Sequence, residues 1–370
     1  MKRWLKTKLR GAWFTATFNS ALLIWRIAGK PRGYHCQVDF NLSDLAGEQL
    51  LVMGPIIGSA PKPRGVRITH AAARQMEGWR LFACVIELAP GSLFRCLNEV
   101  KQHRNSTVLF GYEFFLSLVL RYGPCAYPLA FLVGLTCKAS RCRPVLLIQD
   151  LNYPQFTAAQ RVLLSGCSRG VMIAQANTPS EACESGLRNV RGPLLFGWHS
   201  GLVSQFQLSG DLKRDTLAVL AGTGGDSSRG ERMHALGRRL AMLGYEVVFT
   251  RGELTRDEYV QMIGSAAVVA TTAGIETDSR VRQSVPATTT TQRVWEGFAA
   301  GSLVITDQTQ VLDVLGFEEG THYVSLDSVM TGAAESLLLE RSAVKHIGHV
   351  GQKHFEYILS QQSRQVQGVL

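Results

Sequence analysis

Short runs of apolar residues alternate with longer amphipathic stretches along most of the chain. The runs of the first half are Leu50–Gly54, 81–86, 107–110, 145–148 and Gly170–Ala174. Apolar runs of this length, bounded by turn residues, are typical of parallel strands that are covered on both faces. The pattern therefore predicts an α/β fold with parallel sheets.

The second half repeats this alternation, with more distinct turn residues between the predicted strands and helices. Predicted strands occupy 216–221, 245–249 and 266–270, and predicted helices occupy 231–243 and 254–263. A strand, a glycine-rich turn, a helix and a second strand form half of a Rossmann unit. Residues 275–286 lack apolar periodicity, so we expect a long functional loop there.

The chain length favours two domains. With 370 residues, each half can bury its own core. A hinge is expected at 197–201, where glycines flank Trp198, His199 and Ser200. We accordingly predict a first Rossmann-like domain over 37–205 and a second over 206–370.

Residues 1–30 form a separate basic and aromatic segment. Five basic residues, from Lys2 to Arg10, are mixed with tryptophans and phenylalanines, and the apolar part over 12–25 is short for a membrane span. We favour an interfacial helix that anchors the protein to an anionic membrane surface. A secretory signal and a helix packed in the core remain alternatives.

Charge and cysteine content limit the choice of partners. The net charge of +10 favours an anionic partner, such as a phosphorylated donor or an anionic lipid surface. The basic residues are scattered and show no zinc-finger spacing, so nucleic acid is not expected. The 8 cysteines form no Cys-x-x-Cys pattern and are interpreted as reduced cytosolic thiols, without a metal site.

A glycine-rich turn follows the first strand of the second half. Gly222, Gly224 and Gly225 would let backbone amides approach phosphate oxygens, and Arg229 is placed to join them. An ordinary tight turn is the alternative. A nicotinamide-dependent oxidoreductase is a further alternative, but Ser227 stands where that motif has its third glycine, and Phe249-Thr250 ends the second strand without an acidic residue.

The segment from Gln292 to Asp307 is the most informative stretch. It predicts a helix, a glycine stop at Gly301 and a buried strand. Its pattern, Arg-x-x-Glu-x-x-x-x-Gly before a strand and Asp307, resembles the C-terminal signature of glycosyltransferases of the GT-B fold, and most of all the CgeB-like spore-maturation group. The likeness extends over about 216–326, including a glycine-containing turn at 315–324.

This resemblance implies two Rossmann-like domains with a nucleotide-sugar donor in the cleft between them. It implies that Arg293 pairs with the donor phosphate and that Glu296 contacts the ribose or orients Arg293. An ion pair on a solvated helix face is the alternative. The second upstream glutamate of retaining relatives is missing, since Pro286, Ala287 and threonines stand there. The stereochemistry therefore stays open.

An inverting mechanism would need a base in the first domain. Asp150 follows the strand at 145–148, at the sheet edge where ligands bind in α/β folds, and is our candidate. His70 and His103 are weaker candidates, and His199 is a possible donor contact.

The sequence thus predicts a cytoplasmic glycosyltransferase, with peripheral binding at the inner face of the membrane as a further expectation. It would need no metal and no cofactor, and would use a glycan or lipid-linked acceptor. A non-catalytic binding module on a degenerate GT-B fold is the alternative.

Overall fold

The computed structural model describes part of the chain. The described ranges are 50–54, 84–87, 93–111, 126–148, 170–174, 190–195, 198, 200–208, 214–221, 228–250, 254–272 and 292–367. Residues 1–30, with the predicted membrane-surface segment, lie outside them. Within the described ranges, no helix combines the length and the apolar character that crossing a bilayer requires.

The first unit contains a parallel sheet of six strands in the order β2-β1-β3-β4-β5-β6. These strands are β1 Leu50–Gly54, β2 Cys84–Glu87, β3 Thr107–Gly111, β4 Arg143–Ile148, β5 Gly170–Ala174 and β6 Val190–Leu194. Two described helices, α1 (Leu93–Gln102) and α2 (Ala126–Ala139), precede β3 and β4. Cys96, Val100, Val133 and Cys137 are fully buried on these helices.

The second unit extends from Leu195 to Arg364 and contains a parallel sheet in the order β11-β10-β9-β7-β8. Its strands are β7 Arg214–Leu220, β8 Glu246–Phe249, β9 Ala266–Thr271, β10 Leu303–Thr306 and β11 Val324–Ser325. Its helices are α3 Ser200–Phe206, α4 Ser228–Met242, α5 Arg256–Ser265, α6 Gln292–Ala299, α7 Thr309–Val314, α8 Leu326–Thr331, α9 Glu335–Leu339 and α10 Arg341–Gln367.

Two hydrophobic clusters cover the two faces of the second sheet. Successive residues of β7 alternate between them, because side chains of a strand point to opposite faces. Leu217 and Val219 lie in the cluster with α6, whereas Ala218 and Leu220 lie in the cluster with α4. Helices α4 and α6 therefore pack on opposite faces of one sheet.

The helix, glycine stop and strand predicted around Gly301 are observed. Helix α6 ends at Ala299, Gly301 has a positive φ of 65°, and β10 is buried along its whole length. A left-handed residue at this place suits glycine, which has no Cβ to clash. The chain thus turns directly from the helix into the sheet.

The long helix α10 lies close to the backbone of the turns that lead into β10 and β11. A Cβ built at Gly348 would stand 2.6 Å from the carbonyl oxygen of Gly301, and one at Gly351 would stand 2.5 Å from that of His322. Glycine at both positions permits this approach.

The boundary between the units lies earlier in the chain than the predicted position near residue 205. Leu195 and Trp198 already belong to the core of the second unit, together with Leu202, Val203 and Phe206. Helix α3 therefore packs with the second unit, which explains why a hinge pattern at 197–201 is followed by buried apolar side chains.

Candidate functional site

The strand order of the second sheet defines a place where ligands bind in α/β proteins. Strands β7 and β9 are neighbours, but the chain leaves β7 through α4 towards β8 and leaves β9 through α6 towards β10. The two connections run in opposite directions along the sheet and cover opposite faces of it. This divergence leaves a crevice at the carboxyl ends of β7 and β9. The N-terminal turns of α4 and α6 flank this point.

Helix α6 contributes Arg293 and Glu296 to this edge. Arg293 lies in the first turn of the helix, and Glu296 follows one turn later with only 4% of its surface exposed. A buried carboxylate needs partners, because burial in a medium of low polarity penalises its charge. The interpretation of these residues as an ion pair on a solvated face is therefore wrong.

Tyr259 of the neighbouring helix α5 supplies one partner, since its hydroxyl donates a short hydrogen bond to Oε2 of Glu296. Helix α5 is held in place at its start by a capping box, in which Thr255 and Glu258 satisfy each other's backbone amides. One turn beyond this cap, the aromatic ring of Tyr259 packs against the core cluster that contains α6. The hydroxyl is thereby aimed at Glu296 by two packed helices.

Electrostatic interactions join Tyr259, Glu296 and Arg293 into one network. Burial raises the pKa of Glu296, while the Arg293 guanidinium and the Tyr259 hydroxyl oppose that rise. Burial, and next the negative charge of Glu296, raise the pKa of Tyr259 well above its usual value, while Arg293 lowers it. The tyrosine therefore remains a protonated donor at neutral pH.

Arg293 keeps donor capacity beyond this network. Its Nε atom is buried and finds no hydrogen-bond acceptor among the described residues. Leaving a buried donor of a charged group unsatisfied costs free energy. An anionic group in this position would remove that cost, and a planar guanidinium is well suited to the two oxygens of a phosphate.

A second arginine lies near the same edge of the sheet. Nη1 of Arg232, in the first turns of α4, is 3.2 Å from Oδ2 of Asp307, which follows β10 directly. Thr271 and Thr272 at the end of β9, and Thr306 at the end of β10, are fully buried. Polar and charged groups thus collect at the carboxyl ends of β9 and β10, as expected for a ligand site.

The start of α6 is also tied to the segment that enters the second unit. The indole nitrogen of Trp198 donates to Oε1 of Gln292 at 3.2 Å, and the ring lies edge-on to Phe355 at 5.3 Å. Trp198 is buried, so this contact fixes the first residue of the helix that carries Arg293.

Several predicted site residues lie outside the described ranges. These residues are Gly222, Gly224, Gly225, Asp150, His70 and His199. The backbone of Arg229 lies in the first turn of α4, and its side chain, like the residues above, lies outside the described part of the structure. Their predicted roles therefore stay predictions.

His103 lies at the wrong edge of the first sheet for a catalytic base. It follows α1 and precedes β3, so it stands at the amino ends of the strands, and its Nδ1 atom is 2.9 Å from the carbonyl oxygen of Glu99. Ligands of parallel sheets bind at the opposite edge. The prediction of His103 as a candidate catalytic base is therefore wrong.

Sequence reasoning did not identify Tyr259, Arg232 or Gln292 as part of this region. Tyr259 looks like one more apolar residue of an amphipathic helix, and its partner Glu296 is distant in sequence. The signal that could have indicated this contact is the order of elements, because α5 precedes β9, α6 follows it, and both helices cover the same face of the sheet.

Within the described residues, no group of three or more His, Cys, Asp or Glu side chains is arranged to hold a metal ion.

No protein-family model matches the sequence, and no curated protein matches it. Solved structures do resemble its fold. HepE of Anabaena, solved in complex with UDP, is 10% identical and aligns over 86% of this chain and 99% of its own with a TM-score of 0.52. TarM is 9% identical over 74% of this chain and 58% of its own, with a TM-score of 0.45. UGT2 of Phytolacca americana, complexed with UDP-2fluoro-glucose and pterostilbene, is 10% identical over 85% of this chain and 94% of its own, with a TM-score of 0.39.

The likeness to HepE covers nearly the whole of that protein and concerns the fold. Together with the two parallel sheets, it confirms the predicted fold class: an α/β protein with two Rossmann-like domains of the GT-B type. The narrower CgeB-like grouping remains a prediction.

Proposed function

We propose that the protein is a glycosyltransferase that takes a sugar from a nucleotide-activated donor. The observation that carries this proposal is the network of Arg293, Glu296 and Tyr259 at the carboxyl edge of the second sheet, with a buried arginine donor that has no acceptor among the described residues. A GT-B fold supplies the frame for this chemistry.

Transfer of a sugar leaves negative charge on the departing diphosphate. A cation and oriented amides can stabilise that charge without a metal. Arg293 provides the cation, and the N-terminal turn of α6 adds its free amides and the positive end of the helix dipole. In this proposal, the turn at Gly222, Gly224 and Gly225, with Arg229, contributes further donors from the other side of the crevice.

Glu296 and Tyr259 have the supporting role. The carboxylate would accept a ribose hydroxyl or hold the guanidinium of Arg293, and the Tyr259 hydroxyl fixes its orientation. We take UDP as the first nucleotide to test, because the HepE structure is a complex with UDP. Asp150 of the first domain remains the proposed base, acting on a hydroxyl of a glycan or lipid-linked acceptor.

A lipid-linked acceptor would place the enzyme at a membrane surface, in line with the basic and aromatic residues over 1–30. We propose a cytoplasmic protein that binds the inner face of the membrane peripherally. A binding module without catalysis would retain the nucleotide site but transfer nothing, which makes turnover the measurement that separates the two functions.

The test is thermal unfolding of the full chain with and without UDP, followed by calorimetry. A ligand at 100 times its Kd should add about 2.7 kcal/mol to the free energy of unfolding. Arg293→Ala should remove this stabilisation, whereas Arg238→Ala, an exposed arginine on α4, should retain it. Equal stabilisation of both variants would refute the site. Stabilisation by NAD in place of UDP would favour the oxidoreductase.

A further inference from the structure

Helix α2 of the first unit is more apolar than its position explains. Between Ala126 and Ala139 its one charged residue is Lys138. A helix that is apolar on all sides normally lies inside a core. Here Val133 and Cys137 are fully buried, but Leu132 is 42% exposed and Leu135 is 48% exposed. One face of the helix packs inward, while an apolar face remains at the surface.

The adjacent helix α1 continues this surface. Phe94 is 79% exposed, although phenylalanine is among the residues most often buried. Lys101 lies two turns later on the same side of α1. It lines a depression of about 370 Å³ between the ends of the two helices, together with Arg104 and Leu135. The exposed apolar residues and the cations therefore belong to one surface, which we call the α1–α2 surface.

The charge of the α1–α2 surface is almost entirely positive. Its exposed cations are Arg95, Lys101, Arg104, Lys138 and Arg141. Among the described residues of these helices and the turns after them, Glu99 is the single carboxylate, and it lies 3.7 Å from Arg95. Apolar side chains surrounded by cations match the interface of an anionic bilayer, where the former enter the acyl boundary and the latter meet lipid phosphates.

We propose that the α1–α2 surface docks on an anionic lipid bilayer. A second copy of the chain is a poorer occupant, because the same cations would face each other across a two-fold interface. The inference rests on the proposed function in one respect: docking on a bilayer would bring the enzyme to a lipid-linked acceptor. Its physical basis, the pairing of exposed apolar residues with cations, is independent of the nucleotide site.

The test is co-flotation of the full-length protein with phosphatidylcholine vesicles, prepared with and without phosphatidylglycerol. Binding should require the anionic lipid and should weaken as salt is raised. Lys101→Gln combined with Arg104→Gln should weaken binding roughly thirtyfold, or about fivefold for each cation. The matched control is Lys345→Gln with Lys353→Gln on α10, where both lysines are also exposed.

A second pair of variants tests the apolar part. Phe94→Ser should reduce vesicle binding about tenfold, since it removes an aromatic side chain that would enter the interface. Met242→Ser, at a side chain that is 77% exposed on α4, is the control and should leave binding unchanged. Because both positions are exposed, neither change is expected to unfold the protein. Circular dichroism checks this.

Residues 1–30 are present in every variant, so a loss of binding in the α1–α2 variants belongs to that surface. Unchanged binding in both sets would overturn the proposal and leave the N-terminal segment as the membrane contact. A dimer that Phe94→Ser dissociates, with no vesicle binding, would overturn it in favour of a second copy. Capture by an acidic protein without vesicle binding would also overturn it.

The two proposals fail separately. Variants of the α1–α2 surface should keep the stabilisation by UDP, and Arg293→Ala should keep vesicle binding. Vesicle binding without any response to UDP would refute the nucleotide site and retain the membrane surface.

Discussion

Replacing Tyr259 with phenylalanine removes one hydroxyl from the centre of the candidate site and leaves the packed ring. In the structure that hydroxyl donates to the buried carboxylate of Glu296. A hydrogen bond to a charged group contributes about 1.5–3 kcal/mol. We expect Tyr259→Phe to lower the free energy of unfolding by about 2 kcal/mol at neutral pH. For a domain of this size, that is a fall in Tm of roughly 4–8 °C.

The pH dependence of this loss distinguishes the carboxylate bond from general packing. The Tyr259 hydroxyl lowers the pKa of Glu296, so it stabilises the ionised form. Wild type should therefore gain stability relative to Tyr259→Phe as the pH rises through the titration of Glu296. At acid pH, where the carboxyl is neutral, the difference should shrink towards the value of about 1 kcal/mol that is typical of a neutral hydrogen bond.

Thermal unfolding monitored by circular dichroism, from acid to neutral pH, measures both effects. Tyr357→Phe is the matched control, because Tyr357 is 58% exposed on α10 and the change should stay within about 0.5 kcal/mol. A loss that is the same at every pH would show that the hydroxyl does not act through Glu296. Weaker UDP binding in Tyr259→Phe than in Tyr357→Phe would link the network to the donor.

Further predictions concern the same unit. Burial raises the folded-state pKa of Glu296, so the stability that the neutral carboxyl contributes is fully present below the unfolded pKa of about 4.3 and is lost as the pH rises through the folded-state pKa. Glu296→Gln should therefore gain Tm relative to wild type as the pH is raised over this range, while calorimetry shows weaker UDP binding. Arg293→Ala should lower turnover about a hundredfold while the protein stays folded, and an unchanged rate in a coupled assay of diphosphate release would refute its role. Gly224→Val should abolish UDP binding if backbone amides there meet the diphosphate; wild-type affinity would restore the interpretation as a tight turn. Gly351→Ala should cost about 2–3 kcal/mol in denaturant unfolding, because its Cβ would approach the carbonyl oxygen of His322 to 2.5 Å.

The strands were the part of the fold that the sequence predicted best. Parallel strands covered on both faces leave uninterrupted apolar runs, and Leu50–Gly54 and Gly170–Ala174 are observed with the predicted bounds. Helix ends were less accurate: α5 begins at Arg256, after its cap at Thr255, whereas the apolar pattern begins earlier. Periodicity locates an element, but its first hydrogen bond depends on local capping.

The candidate site was only partly predictable. A short motif placed Arg293 and Glu296 one turn apart, and the structure confirms that placement on α6. Their partner Tyr259 depends on how α5 and α6 pack, which no local pattern records. Burial of Glu296 is likewise a tertiary property, since the same spacing occurs on solvated helices.

Helix α10 contributes to both cores of the second unit. Val344 and Ile347 near its start belong to the cluster on the α4 face, whereas Phe355, Ile358 and Leu359 belong to the cluster on the α6 face. Because Gly348 has no side chain, α10 can pass close to the start of β10, and one continuous helix reaches from the first cluster to the second. Loss of either cluster would remove part of the contacts that hold α10 in place, and would thereby weaken the other cluster. We therefore expect the two faces to unfold in a single cooperative transition, with similar hydrogen-exchange protection in α4 and α6.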